Sequence, residues 1–253
     1  MTEVITTFSE DGYNLYGKKM IDTWLEYWPN NYKLTVYNED YELSQKEPRL
    51  KTINLNDACP DLPLFKQHSY TLMQENNRKQ NNRIKKTVKW CHKVFAMSHA
   101  LKNTDSNHLI FLDGDTRTIK PIQNDLAENL VNDKLFAVHF EYLKKKLHFE
   151  TGLVIFNMKH QLINWLAEEI VKKYNSLDIY EMDKTWDGFV FADIYQKNKL
   201  PVKDLSEGKQ GVFCNRLIKN YIVHDVGPKK YAGTNYDRYL GKINDLGLSK
   251  KNL

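Results

Sequence analysis

The sequence predicts one α/β domain in which helices flank both faces of a largely parallel or mixed central sheet. Short apolar runs alternate with amphipathic helical segments along the 253 residues, and no linker-like stretch or internal repeat divides them. A hydrophobic fraction of 41% is enough for a packed core, which excludes a disordered chain. Ligands of such sheets bind beyond the carboxyl ends of strands, so residues that follow strands are the first candidates for a functional site.

The first half of the chain is predicted to begin with a strand, a turn and a helix. Turn chemistry at 9–12 follows the first strand and leads into a helix that ends near Trp28. The polar stretch 61–82 has no assignable period, and we interpret it as a mobile, functional loop. Apolar residues at three- and four-residue intervals predict an amphipathic helix over 83–101. The strands expected in this half are residues 4–8, 33–37 and 50–55.

The second half continues the alternation of strands and helices. A short helix is expected after Pro121, and a longer one is expected over 161–174. Either Asp183 or Thr185 is expected to cap a further helix that runs to about Lys197. The strands expected in this half are residues 108–112, 135–140, 153–156 and 221–223.

Charge and cysteine content narrow the class of protein. The cysteines Cys59, Cys91 and Cys214 lie far apart without a CxxC pair, so we expect a reducing cytoplasm and no disulfide framework. No secretory signal or membrane-spanning run is expected. The formal charge is +5, and seven Lys and Arg residues fall within 78–93. This segment would attract an anionic ligand, although a solvated helix face explains it as simply.

An acidic pair follows the predicted strand 108–112. Asp113 and Asp115 flank Gly114, so both carboxylates can point into one cleft, where the glycine leaves room for close approach. Mg²⁺ and Mn²⁺ prefer carboxylate and phosphate oxygens, and an imidazole ligand shifts the preference toward Mn²⁺. Many DxD sequences are surface turns; the preceding strand makes a metal site an equal alternative here, and the acidic pair does not decide between them alone.

A second polar group follows the last predicted strand. His224, Gly227 and Lys230 are spaced so that an imidazole can hold a metal, a glycine backbone can approach phosphate, and an ammonium group can neutralise it. His224 would then complete a metal site with Asp113 and Asp115, and this site would hold a diphosphate.

These motifs resemble those of GT-A glycosyltransferases, in particular glycosyltransferase family 8, which includes glycogenin and bacterial galactosyltransferases. The segment 224–230 matches the HxxGxxK signature of that family, and Phe-Leu-Asp-Gly-Asp at 111–115 is similar to its strand-borne DxD. Residues 149–158 are similar to its FNSGVMLFNL-type strand. The resemblance spans the chain from about Val4 to Lys230, although the specific motifs within it are short.

The resemblance implies the Rossmann-like GT-A fold of nucleotide-diphospho-sugar transferases over residues 1–253. Its nucleotide-binding half would be about 1–120, its acceptor and metal-completing half about 121–235, and its basic C-terminal tail 236–253. That tail is a solvated terminus or a peripheral contact with an anionic glycan or a membrane surface.

The resemblance also implies the ligands. The donor would be a UDP-sugar, UDP-glucose or UDP-galactose, bound with Mn²⁺ or Mg²⁺, and the acceptor would be a glycan or another hydroxyl compound. It implies retention of configuration and no nucleic-acid partner. Lys93, or Lys89, corresponds to a basic residue on the helix before the DxD. The donor-binding residues implied are Phe8, Ser9, Glu10, Tyr13, Lys93, Asp113, Gly114, Gly227 and Lys230.

Asp187 and Glu150 are the candidate catalytic carboxylates. Either can bind donor or acceptor hydroxyls, act as a general base, or stabilise a cationic sugar. Both lie where the sequence departs from the family, because Glu150 replaces an asparagine and Asp187-Gly-Phe replaces a DQD-like stretch. A first-turn helix acid and an ordinary loop carboxylate are the plainer explanations for these two residues.

Two other classes of protein fit part of the sequence. An apolar strand followed by Asp113-Gly-Asp115 also resembles the nucleophile motif of haloacid-dehalogenase-like phosphatases, in which Asp113 would be phosphorylated. That motif normally opens its domain, whereas a long β/α pattern precedes it here. A non-enzymatic module that binds carbohydrate or nucleic acid would explain the charges of 78–93 but not the spacing of 224–230.

Overall fold

The computed structural model describes residues 1–39, 41–43, 47–75 and 77–225. In these residues a central sheet lies between two layers of helices. The described strands are β1 (Thr2–Phe8), β2 (Tyr32–Asn38), β3 (Leu50–Asn54), β4 (His108–Leu112), β5 (Thr116–Thr118), β6 (Phe136–Leu143), β7 (Lys146–Asn157), β8 (Val202–Asp204) and β9 (Ile222–His224).

Eight α-helices are described, and a π-helix at Tyr13–Gly17 joins the first two of them. A 3₁₀ turn at Asp178–Glu181 precedes the last. None of the helices in the described ranges combines the length and the apolar character needed to span a membrane. The α-helices are α1 (Glu10–Gly12), α2 (Lys18–Tyr27), α3 (Leu55–Ala58), α4 (Asp61–Glu75), α5 (Arg78–Asn103), α6 (Leu126–Val131), α7 (Ile163–Asn175) and α8 (Asp187–Asn198).

The central sheet has the strand order β3-β2-β1-β4-β7-β6-β8. Its first four strands run parallel to one another, while β7 is antiparallel to both β4 and β6. The mixed sheet predicted from the sequence is therefore confirmed. Because Leu112 pairs with Leu153, the residues just before Leu153 on β7 lie at the same edge as the carboxyl end of β4.

Alternate residues of each strand face opposite helix layers, as the period of a strand requires. On β4, Leu109 and Phe111 are fully buried in the core beneath α5 and α7. Their neighbours Ile110 and Leu112 are buried in the second core, against α2 and α6. The sheet is covered on both faces, so only its strand ends are available to ligands.

A short antiparallel ladder of β5 and β9 forms a second sheet beside the first. Thr116 pairs with His224, and the backbone N–H of Asp225 donates to the carbonyl oxygen of Asp115 at 2.9 Å. Arg117 forms an ion pair with Asp225 across the same ladder. This ladder brings the end of β9 next to the turn that follows β4.

The interpretation of 61–82 as a loop was wrong. Leu62 and Phe65 are buried on one side of α4, in the main core, although the mostly polar run that follows at 66–71 hides this face in the sequence. The start of α5 is set by Asn77, whose side chain accepts from the backbone N–H of Gln80 at 3.1 Å in a capping box. Most of the stretch is therefore helical.

The cap predicted for the helix before Lys197 was also misplaced. The N-cap residue of α8 is Trp186, which makes no side-chain capping bond. The hydroxyl groups of Thr185 and Thr87 hydrogen-bond to each other at 2.6 Å, and Asp183 pairs with Lys146 instead. Tertiary contacts of these side chains replace the local capping that their positions suggest.

His139 of β6 should make the stability of the fold dependent on pH. Its ring is fully buried, and burial lowers the pKa of His139 from 6.5 to about 4. Between pH 6.5 and pH 4 this histidine binds a proton in the unfolded chain but not in the folded one. The free energy of unfolding therefore falls as the pH decreases from 6.5 toward 4, by about 3 kcal/mol in total.

We expect His139→Gln to remove this part of the pH dependence. Glutamine does not titrate, and it retains an acceptor for the backbone N–H of Asn215, which donates to His139 Nε2 at 3.4 Å. Urea unfolding of both proteins at neutral and mildly acidic pH measures the difference. Identical changes in the free energy of unfolding with pH would contradict the assignment.

Candidate metal centre

Polar side chains from five parts of the chain converge at the carboxyl edge of the sheet. They come from the turn after β4, from β7, from the end of β9, and from facing turns of α5 and α8. The residues that meet there are Asp113, Asp115, Glu150, Thr151, His224, Lys93 and Asp187.

The imidazole of His224 lies against both carboxylates of the acidic pair. Its Nε2 is 2.9 Å from Oδ1 of Asp115 and 3.5 Å from Oδ2 of Asp113. Burial lowers the pKa of His224, but the hydrogen bond with Asp115 and the charge of Asp113 outweigh this and raise it above 6.5. The structure thus brings together the three residues that the sequence suggests as metal ligands.

Two residues that sequence reasoning missed shape the space around this imidazole. The ring of Phe213 stacks on that of His224 with centroids 5.1 Å apart. A Cβ atom at Gly152 would lie 2.8 Å from Cε1 of His224, so only glycine leaves room for the ring. Gly152 falls inside the strand motif 149–158, whereas Phe213 lies in a turn whose sequence carries no comparable signal.

Glu150 lies on the other side of the imidazole. Its Oε1 is 3.7 Å from Nδ1 of His224 and accepts from the backbone N–H of Gly152 at 3.0 Å. Its Oε2 is buried without a hydrogen-bond partner among the described residues. Burial raises the pKa of Glu150 to about 7, against the opposing charge of His224. A carboxyl group in this state can hold or release a proton near neutral pH.

Lys93 joins the acidic pair to Asp187. Its Nζ is 2.9 Å from Oδ1 of Asp113 and 3.0 Å from Oδ2 of Asp187. The same oxygen of Asp187 accepts a hydrogen bond from the hydroxyl of Thr151 at 2.6 Å. Burial lowers the pKa of Lys93, but the charges of Asp113 and Asp187 outweigh it and raise this pKa above its usual value. Lys93 is therefore a permanent positive charge within the cluster.

Each oxygen of the Asp113 carboxylate faces a basic side chain. Oδ1 faces Lys93 and Oδ2 faces His224. Burial nevertheless raises the pKa of Asp113 above its usual value, because the charge of Lys93 only partly compensates for the lost hydration. Additional positive charge at this point would stabilise the carboxylate.

Gly114 packs against the side chain of Phe8 at the end of β1. A Cβ atom at this position would overlap the ring of Phe8, which is 2% exposed and packs beneath the turn. The glycine therefore lets the end of β1 pack closely against the turn. Because the side chain of Phe8 is buried, only its backbone remains for the donor contact that the resemblance implies.

The other residues suggested for nucleotide binding lie just beyond β1 or outside the described chain. The hydroxyl of Ser9 accepts from the backbone N–H of Gly12 at 3.3 Å and caps α1, while Glu10 is exposed on that helix. Tyr13 begins the π-helix, and its ring stacks on that of Tyr41 at 5.4 Å. Gly227 and Lys230 lie outside the described residues.

The donor atoms of the cluster fit a divalent cation. Asp113, Glu150 and His224 each offer one ligand atom, and these atoms lie within 4.8 Å of one another. Asp115 presents a further oxygen to the imidazole at 2.9 Å. A set of carboxylate oxygens with one imidazole nitrogen suits Mn²⁺ and also accommodates Mg²⁺.

Solved structures of glycosyltransferases have a similar fold. The galactosyltransferase LgtC, in complex with donor and acceptor sugar analogues, aligns with a TM-score of 0.51 at 10% identity, covering 96% of this chain and 95% of that one. An active-site mutant of LgtC aligns with a TM-score of 0.53 at the same identity and coverage. Mouse xyloside xylosyltransferase 1 aligns with a TM-score of 0.50 at 11% identity, covering 81% of this chain and 85% of its own.

The sequence itself matches no protein-family model and no curated protein. At identities near one residue in ten, the structural similarity concerns the fold alone. Membership of glycosyltransferase family 8 therefore stays a prediction from the motifs. The fold class predicted from the sequence is confirmed: the chain has the GT-A type of α/β fold that these glycosyltransferase structures share.

Proposed function

We propose that the chain is a metal-dependent glycosyltransferase that moves a hexose from a nucleotide-diphosphate sugar, UDP-glucose or UDP-galactose, to a glycan or other hydroxyl acceptor. One observation supports this most: His224 reaches Asp113 and Asp115 at the carboxyl edge of the sheet, from the far end of the described chain. The fold shared with solved glycosyltransferases supports the same reaction class.

Asp113, Asp115 and His224 are the proposed metal ligands. Nε2 of His224 faces both carboxylates, whereas its Nδ1 faces Glu150, which would orient the ring from behind. Glu150 is an alternative ligand to Asp115, because one of its oxygens lies within 4.8 Å of the ligand atoms of Asp113 and His224. When bound, the cation would supply positive charge that holds the diphosphate and stabilises it as a leaving group.

Lys93 and Asp187 are proposed to act on the sugar side of the site. Lys93 holds the carboxylates of Asp113 and Asp187 at 2.9 and 3.0 Å, so it sets their separation. Asp187 is the first residue of α8, where the helix dipole favours a negative charge. We propose that its carboxylate binds sugar hydroxyls and stabilises the positive charge that develops on the transferred sugar. We propose retention of configuration on the resemblance to family 8.

The nucleotide is proposed to bind at the end of β1. Ser9, Glu10 and Tyr13 lie there, and Gly114 closes the turn above Phe8. Gly227 and Lys230 are proposed to contact the diphosphate, as the motif that begins at His224 implies. The contact at Phe8 is proposed through its backbone, because the ring is buried.

Removal of either proposed ligand should abolish metal-dependent UDP binding. We expect Asp115→Asn and His224→Ala to lower metal-stimulated hydrolysis of UDP-glucose or UDP-galactose by about a hundredfold, since each removes a preorganised charge contact. Calorimetry with UDP, with and without Mn²⁺, measures the binding. Asp105→Asn and His68→Ala, at exposed positions away from the cluster, are the matched controls. Normal donor hydrolysis by the ligand variants would show that the metal site is wrongly assigned.

Substitution of Asp187 should separate chemistry from binding. We expect Asp187→Asn to reduce kcat by about a hundredfold with little change in the affinity for UDP and Mn²⁺, because the proposed ligands lie on the other side of Lys93. Asp193→Asn on the same helix is the control, since Asp193 pairs with Lys173 and Lys197 instead. Equal losses of UDP affinity and rate would indicate that Asp187 only supports the cluster.

A further inference from the structure

A row of aromatic rings extends from α5 to β7 beside the cluster. Trp90 and Trp186 meet edge to face with centroids 5.6 Å apart, and Phe189 meets Trp186 at the same distance. His148 of β7 stacks on Phe189 at 5.2 Å. Both tryptophans are half-buried, so each leaves part of its ring exposed to solvent. The row therefore offers an aromatic surface, not only a packed interior.

The aromatic row lies next to two residues of the candidate site, Lys93 and Asp187. Trp90 precedes Lys93 by three residues on α5, which is about one helical turn, and Trp186 immediately precedes Asp187. Lys93 contacts one oxygen of Asp113 while His224 contacts the other. The tryptophans thus adjoin Lys93 and Asp187, the residues proposed to act on the sugar side of the site.

Exposed lysines adjoin the same rings. Lys86 lies four residues before Trp90 and seven before Lys93, which places all three on one face of α5. Nζ of Lys184 lies 5.9 Å from the centre of the Trp186 ring. Within the described chain, neither Lys86 nor Lys184 has a carboxylate at ion-pair distance. Their charges are therefore available to a ligand.

The hairpin of β6 and β7 adds further lysines. Lys144 and Lys145 form its two-residue turn with φ of 50° and 68°, a left-handed conformation that favours glycine or asparagine. Lys145, Lys146 and Lys184 line a cleft of about 400 Å³ between this hairpin and α8, and Phe189 forms part of its wall. The cleft also contains two carboxylates, but Asp183 pairs with Lys146, and Asp193 pairs with Lys173 and Lys197. A solvated face of α5 would explain Lys86, but it would not explain lysines from three separate segments around one aromatic row.

We propose that this surface, formed by Trp90, Trp186, Lys86, Lys145 and Lys184, binds an anionic oligosaccharide as the acceptor. The inference rests on the proposed glycosyltransferase function, because it makes the bound sugar the acceptor of the transferred hexose. Sugar rings pack on exposed aromatic faces, and ammonium groups bind phosphate or carboxylate groups on the sugar chain. An acceptor bound there would direct a hydroxyl group toward Asp187.

The test is a titration of tryptophan fluorescence in the full chain with UDP and Mn²⁺ present. The probes are lactose, lactose phosphate and a glucuronic-acid disaccharide, which separate a neutral sugar from the two anionic sources. We expect at least one anionic disaccharide to bind about tenfold more tightly than lactose, and added salt to reduce this difference. The double variant Lys86→Glu with Lys184→Glu should lose the preference, whereas Lys19→Glu, an exposed lysine on α2, should keep it.

Each outcome decides the inference. Equal binding of neutral and anionic disaccharides, or an unchanged preference in the double variant, would overturn it, as would binding of a single-stranded oligonucleotide in place of the sugars. Lys86 and Lys184 are exposed, so their replacement should leave the fold intact, and circular dichroism of the double variant checks this. Calorimetry with UDP and Mn²⁺ is a separate measurement. If UDP fails to bind while an anionic disaccharide binds, the proposed enzyme is wrong and the anionic sugar site stands as a binding site.

Discussion

The two-stranded ladder of β5 and β9 is the constraint on which the candidate site depends. Thr116 pairs with His224, and the backbone N–H of Asp225 bonds to the carbonyl oxygen of Asp115. These backbone contacts hold the imidazole beside the acidic pair without requiring any attraction between the side chains. The contact of Asp113 with Gly152, at 2.8 Å between backbone N and O, fixes the same turn to β7. The ladder and the main sheet together position the cluster before any ligand binds, as preorganised electrostatic sites require.

The cluster concentrates more negative than positive charge in a buried place. Four carboxyl groups meet one lysine and one histidine, and burial raises the pKa of Asp113 and brings that of Glu150 to about 7. Like charges at such distances disfavour full ionisation, so the cluster gains stability from any cation that joins it. Lys93 supplies part of that charge permanently, while His224 can supply it only when protonated. A divalent ion would replace the proton between His224 and the acidic pair, which gives a physical reason for the proposed metal binding.

The sequence predicted those strands and helices whose residue pattern is complete within the segment itself. Strand 108–112 was predicted at its observed bounds, because an apolar run ends abruptly at Asp113. The metal ligands were suggested by residue type and spacing, and their convergence was suggested by their positions directly after two predicted strands. The helix α4 was missed because its buried face is narrow, and the three-residue strand β8 is too short to show a period. Phe213 could not be identified because its contact with His224 joins a turn to the end of β9, and no sequence pattern relates the two.

Contacts at Asp113 distinguish the two enzyme classes that its motif suggests. A phosphatase nucleophile needs an oxygen directed at its substrate, whereas here one oxygen faces Lys93 at 2.9 Å and the other faces His224 at 3.5 Å. Arg117, two residues after the acidic pair, is engaged with Asp225 in the small ladder. In the glycosyltransferase proposal the same contacts are useful, because Lys93 fixes one oxygen and leaves the other beside an imidazole, as a shared metal ligand requires. Lys93 also divides the site, with the proposed metal ligands on one side and Asp187 with the aromatic row on the other. In the proposed enzyme, the donor and the acceptor would therefore approach the ammonium group of Lys93 from opposite sides.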